Sequence, residues 1–451
     1  MDVSSQDIRP GVCVLVHAPD GQLAQAQVGL ANIELAIPLG PNTVFNVGSV
    51  AKQITACLAV LTARSASLDL GAPVADFLPR VRVPGITVTD LIRHDSGIRD
   101  VESLLSLAGF RELDHYTSDD LLALAYRQVD RAVPSGRFLY SNTNYLMLAK
   151  ILETIHGISL QQLADQLVFE PLGMRATRFK TDPREVIPQA ASSYQQTHDG
   201  HWRHQACPVT LPGPGSLWCS APDLDRWLEH LKQEWTQQGF HAPPFDAEVG
   251  YLPSGHPSYR YGAGLYTDTT ALEGGAVFHY GHEQGFSAAT RLGRNGLRTV
   301  CLSNNADIHA DHVTAHIVQY LAHGGALNKI HTCLDAFRTE DGTTPRRNVP
   351  AAPTDPPVPA DQHTWLGTFS CGEVPGVVRL SRHGPTLHLW RRGIADQLDC
   401  MCAERQIYGG PGYTLTIPTT NVLGNENINA FTLDLDRAPA LHYRIIRNDK
   451  P

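Results

Sequence analysis

The sequence lacks several features that would place it in a common class of protein. Its longest unbroken apolar run lies within residues 56–63, far short of the ~20 residues that a membrane-spanning helix needs. The first eleven residues contain no basic patch and no apolar core, so no secretory signal is visible. The net charge of −9 offers no positive surface to nucleic acid or to an anionic membrane. These absences predict a cytoplasmic protein with no nucleic-acid partner and no membrane partner.

Disulfide frameworks and cofactor motifs are also missing. The nine cysteines are an odd number and lie scattered, mostly in apolar stretches, which favours reduced thiols packed as small apolar groups. Four possible zinc ligands recur at three-residue spacing, namely His198, His201, His204 and Cys207. The Asp199-Gly200 pair among them is typical of a hairpin turn, which would scatter the four side chains. Phosphate-loop, dinucleotide and His-Glu-x-x-His patterns do not occur, so we expect no metal and no cofactor.

The composition indicates a large globular protein with an appended module. The chain has 451 residues, of which 42% are hydrophobic and 18% charged, enough apolar material for a large core. One compositional break, residues 338–361, contains six prolines, and such a segment favours extended chain over helix or central strand. We therefore predict one domain over residues 1–337, a linker over 338–361 and a second domain over 362–451.

The first domain alternates strand and helix patterns. Hydrophobic periodicity predicts strands at 11–17, 22–28, 276–279, 286–292 and 298–303, and helices at 50–64, 143–156, 160–168 and 223–235. Strands at both ends of a segment with a helical middle favour an α/β (α+β) domain in which both ends share one antiparallel sheet flanked by helices. After the linker, six short strand-like runs separated by turn residues predict a small antiparallel β-barrel or sandwich.

The sharpest local signal is Ser49, followed three residues later by Lys52 at the start of a predicted helix. Residues three apart share one helical face, so the lysine amine can reach the serine oxygen. A serine needs a neighbouring base to act as a nucleophile. Burial, positive charge and the helix N-terminus would each lower the lysine pKa and make neutral amine available. Alone, Ser-x-x-Lys occurs by chance in many proteins.

Two further segments complete a set of catalytic candidates. Tyr140 and Asn142 form a Tyr-x-Asn pattern just ahead of a helix, where the phenol can relay a proton and the amide can bind Lys52 and substrate. His279 and Gly281 end an apolar strand, and the glycine would let a substrate backbone approach the sheet edge.

The order Ser-x-x-Lys, Tyr-x-Asn, His-x-Gly resembles the β-lactamase-related serine hydrolases of the class C β-lactamase, D-aminopeptidase and penicillin-binding protein type. The segments 91–98, 171–174, 215–224 and 303–304 also resemble that family. The resemblance implies a β-lactamase/transpeptidase-like fold over about residues 10–325, acylation of Ser49, and acid/base roles for Lys52 and Tyr140. It further implies that Asn142 positions substrate, and that the backbone N–H groups of Ser49 and His282 form an oxyanion hole.

Departures from the family pattern shape the functional expectation. Class C β-lactamases have Lys-Thr-Gly where this chain has His279-Tyr280-Gly281, and histidine is a weaker cation at pH 7. His-x-Gly occurs in the D-aminopeptidase and esterase branches, whose lipocalin-like accessory domains the C-terminal barrel resembles. We therefore expect hydrolysis of amide or ester bonds in small, peptide-like substrates, plausibly with D-residues, ahead of β-lactam hydrolysis.

Three alternatives stay open at this stage. The architecture also resembles penicillin-binding-protein-type thioesterases that cyclise nonribosomal peptidyl thioesters, and these would need a carrier-protein partner. We rank β-lactam hydrolysis and a non-catalytic sensor module below both hydrolysis of peptide-like substrates and cyclisation of peptidyl thioesters. We expect Arg444 and Arg447 on the last strand to cover the barrel surface. If the barrel packs over the pocket, either would instead hold a substrate carboxylate.

Overall fold

The computed structural model describes residues 8–110, 114–206, 208, 210–237, 239–337, 364–418, 422–423 and 427–447. The predicted linker, 338–361, lies outside these residues, so the domain boundaries stay a prediction. Within the described part, no helix combines the length and the apolar character needed to cross a membrane.

An eight-stranded antiparallel sheet forms the centre of the first domain. Its strands, in spatial order, are Leu252–Pro253, Tyr259–Gly262, Leu265–Asp268, Ala276–Glu283, Phe286–Gly293, Arg298–Ser303, Val12–His17 and Leu23–Val28. The first strand of the chain pairs with the last strand of the domain, from Val12 opposite Ser303 to His17 opposite Arg298. This confirms the prediction that both ends of the segment share one sheet.

Helices cover both faces of this sheet because its strands alternate apolar side chains to both sides. Val12, Val14 and Val16 pack in one apolar cluster with the helix Ala310–Ala322, whereas Cys13 and Leu15 face the larger core on the opposite side. The helices of the first domain are Ala51–Arg64, Val74–Phe77, Val88–Arg93, Val101–Leu107, Ser118–Ala125, Asn142–His156, Leu160–Ala164, Glu170–Leu172, Ala221–Gln237, Asp246–Val249 and Ala310–Ala322, with 3-10 turns at Gly48–Val50 and Leu327–Phe337 and a π-turn at Asp165–Phe169.

Short strands also form small sheets outside the main sheet. They are Leu30–Asn32, Ile37–Pro38, Val44–Asn46, Arg178–Phe179, Tyr194–Gln196, Trp202–His204 and Leu217–Ser220. Tyr194–Gln196 pairs with Trp202–His204 around the Asp199-Gly200 turn, so the hairpin expected among the spaced histidines is confirmed. Cys207 of that set lies outside the described residues.

The C-terminal module is a closed antiparallel barrel, as predicted. Its strands are Thr364–Ser370, Val378–His383, Thr386–Arg391, Ile394–Cys402, Ile407–Gly410, Tyr413–Thr416, Ala430–Leu435 and Ala438–Arg447, and Val422–Leu423 pairs with Asn427–Ile428 beside it. The six predicted runs are all strands, and Ile394–Cys402 and Ile407–Gly410 complete the barrel. The eight described cysteines are free thiols, six of them buried.

The barrel docks on the first domain through buried arginine contacts. Arg99, which is 4% exposed, donates to the carbonyl oxygens of Pro439 (2.8 Å) and Ala440 (3.2 Å) and pairs with Glu373 at 3.0 Å. In the opposite direction, Arg391 of the barrel donates to the carbonyl of Ser106 at 2.9 Å. These contacts place the tight turn Asp436–Arg437, which joins the last two barrel strands, beside residues 99–102 of the first domain.

Candidate active site

Ser49 lies in the 3-10 turn Gly48–Val50, immediately before the helix Ala51–Arg64, which we call the serine helix. The Ser49 side chain is partly exposed and lines a cleft of about 740 Å³. Residues 51–60 behind it are all buried, so this apolar helix anchors the serine rigidly in the core. Ser49 is therefore a fixed hydroxyl at the floor of a cavity.

Lys52 places its amine directly under that hydroxyl. The Lys52 Nζ lies 2.9 Å from the Ser49 Oγ, 2.7 Å from the Asn142 Oδ1 and 2.8 Å from the carbonyl oxygen of Pro214. The residue is fully buried. Its three partners account for the three hydrogens of an ammonium group.

The same geometry directs a neutral amine towards Ser49. The carbonyl oxygens of Asn142 and Pro214 accept hydrogen bonds and cannot donate them. When Lys52 loses one proton, its two remaining N–H groups stay on those oxygens, and its lone pair faces the Ser49 hydroxyl. Burial, and then the positive charge of Arg437, lower the Lys52 pKa to about 7, although the negative charges of Glu102 and Asp100 act to raise it. Neutral amine is thus available near physiological pH.

Tyr140 lies against both of these groups. The Lys52 Nζ is 4.9 Å from the centroid of the Tyr140 ring. Burial raises the Tyr140 pKa, while a hydrogen bond to Ser49 opposes that rise. His94 supports the segment: its ring lies 4.4 Å from that of Tyr140, and its Nδ1 accepts from the Ser141 N–H at 3.3 Å. The phenol therefore stays protonated at neutral pH, within reach of the serine.

Asn142 begins the helix Asn142–His156, and a residue that the sequence did not single out fixes its amide. The Asn142 Oδ1 accepts from Lys52, whereas its Nδ2 donates to the carboxylate of Glu102. Its backbone N–H donates to Asp100 at 2.7 Å. Glu102 and Asn142 both line the cleft. The hydrogen bond between them therefore places the Glu102 carboxylate on the cleft wall beside the Asn142 amide. Burial raises the pKa of this carboxyl.

Gly281 allows two distant backbone segments to touch. A Cβ at this position would lie 2.1 Å from the Val47 carbonyl oxygen and 2.7 Å from the Ser49 nitrogen. The glycine was expected to make room for substrate; it also makes room for the turn that carries Ser49. His282 also lies against this turn, because a Cβ on Gly48 would be 3.0 Å from the His282 nitrogen.

The ladder pattern directs the His282 N–H towards the serine turn. Gln284 and Gly285 form a two-residue turn, so Glu283 and Phe286 flank it as a hydrogen-bonded pair. The next pair, His282 with Ser287, is then a non-hydrogen-bonded one, and the His282 N–H faces away from that partner strand. On the other side of the strand that carries His282, pairing with Leu265–Asp268 extends only from Ala276 to Phe278 and does not reach His282. The backbone N–H groups of Ser49 and His282 are thus neighbours, as an oxyanion hole requires.

His279, the fourth predicted catalytic residue, makes no side-chain hydrogen bond to Ser49, Lys52 or Tyr140 among the described residues. It is 1% exposed; its Nδ1 bonds the Tyr280 carbonyl at 2.7 Å and its Nε2 lies 3.4 Å from the Tyr261 hydroxyl. Burial, with the charge of Lys52 second, lowers its pKa to about 3. His279 is therefore a neutral ring on the cleft wall at pH 7, with Nδ1 protonated, and it supplies no positive charge.

Arg437 supplies that charge from the barrel. The turn Asp436–Arg437 lines the cleft, and the Arg437 guanidinium lies 4.7 Å from the Tyr140 ring centroid. The Arg437 carbonyl accepts from the Asp100 N–H at 2.9 Å, which fixes the turn in place. Arg444 is exposed, as expected for a residue that covers the barrel surface, and the Arg447 side chain lies outside the described part. A charged two-residue turn between strands was the only signal for Arg437.

Comparison with known proteins identifies the family of the first domain. The family model described as Beta-lactamase matches residues 3–323. A D-aminopeptidase from Cereibacter sphaeroides is 31% identical over 167 residues, which cover 37% of this chain and 32% of the relative. The chain therefore matches about a third of the length of that curated relative.

Solved structures extend the likeness over nearly the whole chain. An octameric penicillin-binding protein homologue from Pyrococcus abyssi has a TM-score of 0.60 at 19% identity and covers 98% of this chain and 96% of its own. A D-stereospecific amidohydrolase from Streptomyces sp. has a TM-score of 0.57 at 22% identity, covering 71% of this chain and 95% of its own. At these identities the likeness shows the fold, and it confirms the predicted fold class.

Proposed function

Since the chain belongs to the beta-lactamase family, we propose that it is a serine hydrolase acting on amide or ester bonds of small, peptide-like substrates through an acyl-Ser49 intermediate. One observation carries this proposal. The buried Lys52 amine lies 2.9 Å from the Ser49 hydroxyl, and its two other partners can only accept hydrogen bonds. This arrangement prepares a serine for nucleophilic attack.

Acylation follows from the positions of these groups. Neutral Lys52 takes the hydroxyl proton as the Ser49 oxygen bonds to the substrate carbonyl carbon. Negative charge then develops on the carbonyl oxygen, facing the N–H groups of Ser49 and His282. Tyr140, which lines the cleft and is hydrogen-bonded to Ser49, gives its proton to the leaving amine or alcohol as the bond to that group breaks, and takes the proton held by Lys52 in its place. A water molecule then repeats the sequence on the acyl-enzyme, releasing acid and restoring the serine.

The charges in the cleft favour a substrate with a free amino group. Glu102 presents a carboxylate on the wall beside Asn142, and a substrate ammonium forms a strong, charge-assisted hydrogen bond with such a group. A relative is named D-aminopeptidase and a structural neighbour D-stereospecific amidohydrolase. We therefore propose D-amino acid amides and short peptides with an N-terminal D-residue as the substrates. β-Lactams rank lower because the neutral His279 stands where class C β-lactamases have a lysine, and the cation of this cleft, Arg437, comes from the barrel instead.

A rapid-mixing experiment with a p-nitrophenyl ester tests the proposal. We expect a burst of one equivalent of p-nitrophenolate and a matching acyl adduct on Ser49 by mass spectrometry, together with ammonia release from D-amino acid amides. Ser49→Ala removes all of these. Ser141→Ala is the matched control, because the Ser141 hydroxyl is buried without a hydrogen-bond partner among the described atoms. Full turnover by Ser49→Ala would refute the proposal.

A second candidate, cyclisation of a peptidyl thioester, is favoured by one observation. The barrel turn Asp436–Arg437 forms part of the cleft wall, and a wall of this kind helps an amine to compete with water for the acyl-enzyme. Incubation with a peptidyl thioester, followed by mass spectrometry, separates the two candidates. Cyclic product, lighter than the linear acid by one water, would support cyclisation, and linear acid alone would support hydrolysis.

A further inference from the structure

Three potential metal ligands converge at the outer rim of the cleft. His282 follows Gly281 on the strand that faces Ser49, His309 stands immediately before the helix Ala310–Ala322, and Asp311 lies in the first turn of that helix. One ligand atom from each residue lies within 4.8 Å of the others. The rings of His282 and His309 are 5.4 Å apart, centroid to centroid.

A serine joins the two backbone segments under this trio. Ser287 stands opposite His282 in the sheet register, and its hydroxyl accepts from the Ala310 N–H at 2.9 Å. The strand end and the helix start therefore keep a fixed separation. Only side-chain rotation is needed to close the trio around an ion, since the donor atoms of a four-coordinate zinc lie ~3.3 Å apart at bond lengths of ~2.0–2.1 Å.

Two of the three side chains have unused binding capacity. The Asp311 Oδ1 is buried and has no hydrogen-bond partner among the described atoms, and burying a carboxylate oxygen without a partner is unfavourable. His309 occupies the N-cap position of the helix, yet its side chain makes no capping hydrogen bond. A cation between these groups would satisfy the carboxylate oxygen and use the imidazole.

We propose that His282, His309 and Asp311 bind a divalent transition-metal ion at the rim of the cleft. A set of two imidazoles and one carboxylate suits Zn²⁺ and other divalent first-row transition metals better than Ca²⁺ or Mg²⁺. Solvent would complete the coordination. The sequence predicted no metal because the ligands are spread over 30 residues without motif spacing. The ion would join the strand carrying His282 to the helix Ala310–Ala322 and would place positive charge beside the substrate's entry path.

Metal titration of the EDTA-treated full-length chain tests this site without any assay of hydrolysis. We expect one equivalent of Zn²⁺ to bind by calorimetry and to raise the melting temperature, because it binds only the folded state. One equivalent of Co²⁺ should give ligand-field bands without the charge-transfer absorption of cysteine thiolates. His309→Ala and the milder Asp311→Asn should each weaken binding by more than the ~10–100-fold that loss of an outer-shell partner costs.

One control variant makes the result specific. His201 is exposed at the turn of the hairpin formed by Tyr194–Gln196 and Trp202–His204, so His201→Ala should bind Zn²⁺ as the wild type does. His312 pairs with Asp311 at 3.8 Å, so His312→Ala should weaken binding by no more than the ~10–100-fold that loss of an outer-shell partner costs. Wild-type affinity in His309→Ala and Asp311→Asn, a thiolate signature with Co²⁺, or no stoichiometric binding by the wild type would each overturn the proposal.

Discussion

Around the Lys52 amine, burial and the charge of Arg437 favour the neutral form, while Glu102 and Asp100 favour the charged form. The two histidines nearby stay neutral: burial lowers the pKa of His94 well below its usual value and that of His279 to about 3. Lys52 is therefore the basic group of this cluster that changes its charge near pH 7. A small change in the surrounding charge alters the fraction of neutral amine.

Glu102→Gln tests the role of the cleft carboxylate. The amide keeps a hydrogen bond to Asn142 but loses the charge, so KM for D-amino acid amides with a free amino group should rise roughly 10–100-fold, as a charge-assisted bond of about 1.5–3 kcal/mol implies. Because Glu102 raises the Lys52 pKa, the pH profile should also move towards lower pH. Steady-state kinetics on free and N-acetylated amides check both effects, and an equal loss on both substrates would contradict them.

At the scale of single residues, the sequence identifies those site residues that lie close together in the chain. Ser49 and Lys52 lie one helical turn apart, and Tyr140 and Asn142 precede a helix, so their residue types and spacing predict that they belong to one site. Glu102 has no such signal. Its importance comes from an amide that is distant in sequence and adjacent in space.

At the scale of secondary-structure elements, the site depends on a strand that touches the start of the serine helix. Gly281 and Gly48 bring the strand Ala276–Glu283 and the turn Gly48–Val50 close together: a Cβ on Gly281 would collide with backbone, and one on Gly48 would make a tight backbone contact. The sequence predicted that a second backbone would lie close to Gly281. It could not show that this backbone is the turn that carries Ser49, because that turn is far from Gly281 in the chain.

Gly281→Ala should therefore damage both stability and activity. Its Cβ would lie 2.1 Å from the Val47 carbonyl oxygen, so the strand must shift away from Ser49, at an expected cost of about 1–3 kcal/mol of unfolding free energy. Chemical denaturation and Ser49 acylation measure the two losses. Gly372→Ala, where an added Cβ meets nothing within 4 Å, is the matched control; wild-type acylation by Gly281→Ala would exclude this account of the contact.

Strand prediction succeeded where apolar alternation was strong. The barrel strands Ile394–Cys402 and Ile407–Gly410 were missed because their sequences, IADQLDCMC and IYGG, combine polar side chains or glycines with little alternation. Closure of the barrel imposes pairing on both. The glycines at 409 and 410 looked like turn residues, yet they pair with Thr414 and Tyr413.

At the scale of the whole molecule, the barrel completes the cleft. Arg99 fixes the barrel through carbonyls that directly follow the Asp436–Arg437 turn, and the turn itself lines the pocket. The sequence predicted a barrel but could not predict where it docks, because docking depends on which surfaces of two folded modules match. The cation that is missing at position 279 is thus supplied by the second module.

Arg437→Ala should separate substrates by their charge. KM for a peptide with a free carboxylate should rise roughly tenfold or more, the range for a charge-assisted pair, while KM for an amide without a carboxylate should change little. Because Arg437 lowers the Lys52 pKa, its loss should also move the pH profile towards higher pH. Arg444→Ala, on the exposed barrel surface, serves as the control, and identical kinetics for the two variants would argue against a binding role for Arg437.

The central claim is that a buried, neutral Lys52 activates Ser49, and the pH dependence of Ser49 acylation tests it most directly. Acylation by an activated ester, followed by stopped flow, should rise with pH through an apparent pKa of about 7 and then level off, because only the neutral amine accepts the proton. The same inflection should persist in His282→Gln, which removes the exposed imidazole at the cleft, and should vanish with a large loss of rate in Lys52→Met. A wild-type rate that is flat across pH 6–8 (on the order of one unit either side of that pKa), or a Lys52→Met enzyme that keeps the inflection, would contradict the account.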